Sequence, residues 1–138
     1  MKTLSLLFII GLLLAACGGT PAPAGPPAGQ PPATAAADPG AVKNVEKYLE
    51  AKIKGDEAAL RALMCAAMEK NLAMEATTFL GTSGVELQDM ACQFDGVGKV
   101  TCTGRIVADY GQEKNEFPLG AYSVVQEDGE WKYCGEAQ

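Results

Sequence analysis

A chain of 138 residues with 11 basic and 17 acidic side chains carries a net charge of −6. Beyond its accessory segments that length suits one small domain, and the acidic balance repels phosphate backbones, which disfavours nucleic-acid binding. It contains no histidine, so the commonest general base and metal ligand is missing.

The chain opens with Lys2 and then an apolar run from Leu4 to Ala16, ending in Leu14-Ala15-Ala16-Cys17. The run is shorter than the ~20 apolar residues of a bilayer-spanning helix, and its positive start and small-residue end predict a cleaved signal peptide over residues 1–16. Leu14-Ala15-Ala16-Cys17 resembles a bacterial lipobox. The resemblance implies that Cys17 becomes the lipidated first residue of the mature protein. Two or more acyl chains give stable anchoring where one gives only marginal binding. Loss of Lys2 with the leader leaves 10 basic against 17 acidic residues, a charge of −7. Gly18 stands where the inner-membrane retention aspartate of enteric lipoproteins would be. The expected location is therefore extracytoplasmic, lipid-anchored to a bacterial outer membrane or outer cell surface.

Residues 17–40 hold Pro21, Pro23, Pro26, Pro27, Pro31, Pro32 and Pro39 among Ala, Gly and Thr, with one charge, Asp38. Such a segment cannot bury enough apolar surface to offset its ordering entropy and reads as a disordered spacer. The globular composition begins near 41 and runs to 138.

Asp38-Pro39 opens a helix as N-cap and first residue, and Val42, Val45, Leu49 and Ile53 then fall on one face. Gly55 stops it and Asp56 caps a shorter helix with Leu60, Leu63 and Met64 on its apolar side. A third helical stretch is predicted over Ala66–Glu75, its methionines serving as core filler. After Gly81-Thr82-Ser83-Gly84 the chain reads as strands. The first, Val85–Asp95, changes the phase of its alternation between Leu87 and Met90, which predicts a bulge. A three-residue loop, Gly96-Val97-Gly98, sets Asp95 opposite Lys99, Phe94 opposite Val100 and Cys92 opposite Cys102. Phe94, Cys92, Val100, Cys102, Ile106 and Tyr110 then share one face, and Lys99, Thr101, Thr103, Arg105 and Asp109 the other. A third strand is predicted over Glu116–Gln126 with Pro118 near its start, then a turn at Glu127-Asp128-Gly129-Glu130 and a last strand, Trp131–Cys134. Helices followed by an antiparallel meander make an α+β domain.

Of these elements, the helix with Lys54-Gly55-Asp56, then Leu60-Arg61-Ala62-Leu63-Met64-Cys65, and the ending Tyr122–Cys134 with Glu127-Asp128-Gly129-Glu130-Trp131-Lys132-Tyr133-Cys134, resemble small lipoproteins of the nuclear transport factor 2-like superfamily. The resemblance covers about Ala41 to Gly135. It implies N-terminal helices packed against a curved antiparallel sheet, a cystatin-like cone with an open mouth. That fold serves enzymes, ligand pockets and protein docking alike, so it constrains function little.

Five cysteines are an odd number, and lipid on Cys17 leaves four. Cys92 and Cys102 are opposed in the hairpin register, within disulfide reach. Cys65 and Cys134 are then left, and their pairing matches the pattern of the resembled lipoproteins. Redox or zinc roles fit poorly, because there is no Cys-x-x-Cys and no histidine.

Motifs for chemistry are weak. Gly98-Lys99 lacks a following Ser or Thr and has Gln93 where a phosphate loop needs glycine. Ser83 lacks the nucleophile-elbow pattern, and no histidine-based triad can be built. Glu127, Asp128 and Glu130 read as a solvated turn without calcium-ligand spacing. The expectation is a non-enzymatic, membrane-anchored envelope lipoprotein that works as a protein-interaction module, with no cofactor and no metal. An envelope protein or a second copy of the chain is the expected partner. The alternative is a small molecule in the apolar cone interior, for which Tyr110, Ile106, Phe94 and Trp131 are the candidate pocket residues. A weaker alternative is an isomerase or hydrolase using a buried carboxylate or tyrosine.

Overall fold

The computed structural model describes residues 38–111 and 113–138. The predicted leader 1–16, Cys17 and the linker up to residue 37 lie outside the described residues. α1 (Pro39–Lys54) begins on the predicted cap, Asp38. The Asp38 carboxylate accepts from the Gly40 N–H at 2.8 Å, and Gly55 closes the helix in the left-handed region at φ 65°. α2 (Glu57–Leu63) is capped by Asp56, whose carboxylate accepts from Ala59 N–H. The third helical stretch is two pieces, a 3₁₀ turn over Ala66–Asn71 and α3 (Leu72–Thr77).

Five strands follow in one antiparallel sheet: β1 (Ser83–Phe94), β2 (Lys99–Asp109), β3 (Lys114–Pro118), β4 (Ala121–Glu127) and β5 (Glu130–Ala137). The order is β1-β2-β4-β5, with β3 beside β2 as well. The predicted single third strand is thus two. β3 runs along the far half of β2 (Ile106 opposite Phe117), and β4 along the near half (Val100 opposite Tyr122). The chain breaks between them at Leu119-Gly120, just after Pro118. The predicted hairpin register holds, with Phe94 opposite Val100 and Cys92 opposite Cys102. So does the Asp-Gly turn, where Asp128 and Gly129 take positive φ of 53° and 81° between β4 and β5, as a two-residue hairpin loop requires.

The sheet bends along one line. In β1 the register slips between Gln88 and Ala91, so Asp89 and Met90 bulge, with Asp89 at φ 53°. Across from the bulge sits Gly104 of β2 at φ 102°, and beyond it lies the β3–β4 break, where Leu119 N–H donates to Gly104 C=O at 2.9 Å. A bulge and a glycine in register increase twist and curl a sheet around what it covers. Here that is α1. Val45, Tyr48, Leu49, Leu60, Val100 and Tyr133 are buried in the resulting core, and Phe94 meets Trp131 edge-on at 4.9 Å between centroids.

The buried side of α1 is rotated from the expected one. Val45 and Leu49 are buried, but Asn44 and Tyr48 are buried with them, while Val42 and Ile53 are half-buried. Two disulfides close the domain, Cys92–Cys102 within the first hairpin and Cys65–Cys134 from the end of α2 to β5. The second is reinforced by backbone, since Cys65 N–H donates to Tyr133 C=O at 2.8 Å. Two disulfides belong to an oxidising, extracytoplasmic environment. Among the described residues no helix is long and apolar enough to cross a membrane.

Candidate functional site

The four candidate pocket residues do not line one cavity. Ile106 is buried beneath the far half of the sheet, opposite Leu87 and Phe117. Phe94 is buried opposite Val100, six residues away from Ile106 along β2, or roughly 20 Å. Tyr110 leaves the inner face altogether and is 51% exposed, because β2 ends at Asp109 before it. Trp131 is half-buried and its indole N–H donates to the Asp38 carboxylate at 2.8 Å. That bond, followed by the Gly40 N–H, holds the Asp38 carboxyl below its ordinary value. It also pins the start of α1 to β5.

A cluster the sequence reading did not single out lies between α1, α3 and β5. Tyr48 and Lys52 are four residues apart on α1, hence on one side of the helix. Both converge on Glu75 of α3. The Tyr48 hydroxyl donates to Glu75 Oε2 at 2.8 Å, and Lys52 Nζ stands 2.8 Å from the same oxygen. Tyr133 of β5 stacks its ring on Tyr48 at 3.7 Å between centroids. Glu75 and Tyr133 then form part of the wall of an open cleft of about 630 Å³, with Lys52, Met68, Met74, Thr77, Thr78 and Glu136. Met74 is 62% exposed, so it is cleft wall and not core filler, whereas Met68 packs against the core. The signal available in sequence was Asn44-x₃-Tyr48-x₃-Lys52, a polar and aromatic row one step round the helix from Val45 and Leu49.

The chemistry of this cluster is that of a closed lock. Burial above all, with the Tyr133 hydroxyl and then Glu75 beside it, drives the Tyr48 hydroxyl far above its ordinary pKa, so it stays protonated and donating. Burial also pushes Tyr133 up to about 12. Glu75 Oε2 already accepts a hydrogen bond from Tyr48 and faces the Lys52 ammonium. Acid–base work would have to break both contacts first, and nothing positions Tyr110 to take part.

A second groove, of about 540 Å³, runs between the first half of α1 and the β4–β5 turn, with Asp38, Asn44, Lys47, Leu63 and Trp131 in its walls. Asn44 gives its amide N–H to Leu63 C=O at 3.2 Å, while its buried Oδ1 has no partner. The predicted solvated turn is only partly so. Glu127 reaches back to the Ala66 N–H at 3.1 Å and caps the 3₁₀ turn, and Glu130 pairs with Lys132 at 2.7 Å. Among the described residues no group of three or more metal-binding side chains comes together.

Large apolar side chains reach solvent where the loop after α3 meets β3. Phe79 contacts Phe117 edge-on at 6.1 Å, Phe117 is 41% exposed and Leu80 is 80% exposed.

No family model matches the chain, and no curated protein matches it. Among solved structures it is similar to an NTF2-like protein of unknown function in nutrient uptake from Rhodospirillum rubrum ATCC 11170, at 18% identity and a TM-score of 0.45, covering 69% of this chain and 93% of that one.

Proposed function

We propose that this protein is a lipid-anchored, non-enzymatic envelope module that docks other proteins. The observation carrying the reading is the filled interior. Tyr48, Tyr122 and Tyr133 pack with the aliphatic side chains in the core, and the buried acid among the described residues, Glu75, is held by Lys52 and Tyr48. Exposed apolar surface then offers a place to dock, and Leu80 with Phe79 and Phe117 supplies it. Lipid on Cys17 would confine the module to a membrane surface, where a weak contact gains from local concentration. The test is a photo-crosslinking amino acid at Leu80 in the full chain, in cells with Cys17 intact or changed to Ala. A discrete protein adduct in the membrane fraction, lost with Cys17→Ala, supports the reading. An unprocessed-looking wild type in the soluble fraction, or no adduct, overturns it.

A second reading has a specific observation behind it. The cleft beside Glu75 carries two thioethers and a tyrosine edge with two carboxylates and an ammonium, a mixed wall suited to a small amphipathic molecule.

A further inference from the structure

We propose that two copies of this chain join edge to edge through β3, antiparallel about Asn115, to make one continuous sheet. The backbone decides which groups of β3 are free for this. Tyr110 N–H donates to Glu113 C=O, and Leu119 N–H donates to Gly104 C=O, so Glu113 and Leu119 bond towards β2. Antiparallel alternation then makes Asn115 opposite Ala108 and Phe117 opposite Ile106 the other pairs bonding inward. Lys114, Glu116 and Pro118 therefore turn their backbone groups outward, and among the described residues β3 pairs with β2 alone. Pro118 has no N–H to leave unpaired there, which suits an outward position and ends the available ladder at two residues.

Only registers that set outward residue against outward residue can form hydrogen bonds. The one centred on Asn115 sets Lys114 opposite Glu116 of the partner subunit, and Glu116 opposite Lys114 of the partner subunit. Each copy then donates and accepts through both residues, and a cation faces an anion at both places. The register centred on Glu116 would set two carboxylates face to face, which is unfavourable. Lys114 has no ion-pair partner within its own chain among the contacts of the described residues, and Glu116 stands 3.5 Å from Arg105 with its side chain 60% exposed. Lysine and proline commonly protect an edge from pairing. In this register the lysine is neutralised by the partner subunit and the proline limits the pairing to one dimer contact. The inference shares β3 with the docking reading but does not depend on it: loss of the Leu80 adduct would leave the pairing untouched, and loss of the dimer would leave the adduct.

The test is sedimentation of the full chain in detergent, as wild type, Lys114→Glu and the swap Lys114→Glu/Glu116→Lys, with Asn115→Cys and Val97→Cys examined under mild oxidation. Val97, in the other hairpin and 87% exposed, is the control for random collision. Wild type should be dimeric, K114E should weaken the dimer about tenfold or more, and the swap should recover most of that loss. Asn115→Cys should form an intermolecular disulfide, since directly opposed residues lie within its reach. A monomeric wild type, a dimer indifferent to K114E, or no more crosslinking at 115 than at 97 would overturn the proposal.

Discussion

Replacing Gly104 with alanine tests why the sheet is curved. A Cβ at that position would lie 2.5 Å from the Gln88 carbonyl oxygen and 2.6 Å from that of Asp89, both backbone atoms of the β1 bulge. Such contacts do not relax by side-chain rotation, so the strand or the bulge must move, at roughly 1–3 kcal/mol. Gly104 also sits at φ 102°, where an L-residue is strained by roughly 1–3 kcal/mol more. Gly129→Ala isolates the second effect, because Gly129 has φ 81° with nothing within 4 Å of the added carbon. Thermal unfolding of the disulfide-intact protein should put Gly104→Ala about 16–32 °C below wild type at about 4 kcal/mol, against about 8–16 °C for Gly129→Ala at about 2 kcal/mol. Equal falls for the two variants would refute the idea that Gly104 is required by close approach to the bulge.

Other outcomes follow from the staples and the buried cluster. Removing Cys65–Cys134, which spans 69 residues, should cost about 4 kcal/mol on the loop-entropy model, and removing Cys92–Cys102, which spans 10, about 3; denaturant titration of paired Cys→Ser variants gives the order. Lys52→Met leaves Glu75 buried with only the Tyr48 hydroxyl, and should lose about 2 kcal/mol by the same titration. Burial raises the pKa values of Tyr48, Tyr122 and Tyr133 above the ordinary 10.0 of a tyrosine. Because the unfolded chain releases those protons first, stability should be intact below pH ~10 and fall as pH rises past it, with tyrosinate absorbance appearing together with unfolding. At the acid end, the N–H groups of Gly98, Lys99 and Val97 hold Asp95 at about 2, so its contribution is complete above the unfolded value of 3.8 and fades between 3.8 and about 2; Asp95→Asn should remove that part of the acid transition.

Much of this fold was legible as local chemistry. The caps at Asp38 and Asp56, the stop at Gly55, the Cys92–Cys102 register and the β1 bulge were all set by residues acting within a few positions of themselves. The third strand was misread because Glu116–Gln126 carries no polar turn, although its apolar alternation changes phase between Leu119 and Tyr122 where the two strands meet. Leu119-Gly120 marks where the bend of β1 and β2 interrupts the pairing and shifts the register along the same strand, β2, a constraint set by the bulge two strands away. The Tyr48–Glu75–Lys52 cluster was hidden for a similar reason. Its members sit on two helices, and on α1 the polar row Asn44, Tyr48 and Lys52 reads as solvated surface until β5 covers it with Tyr133. Tyr110 shows the converse error, since the inward phase of β2 was carried one residue beyond the end of the strand.

Native mass spectrometry of the exported, disulfide-bonded protein separates the docking reading from the ligand-binding one, because docking needs no resident small molecule whereas the cleft beside Glu75 would hold one. The expected mass is that of the polypeptide with its two disulfides and the lipid on Cys17, and nothing more. A reproducible additional mass, lost when Met74 or Thr78 at the cleft beside Glu75 is enlarged, would contradict it and establish the ligand-binding reading.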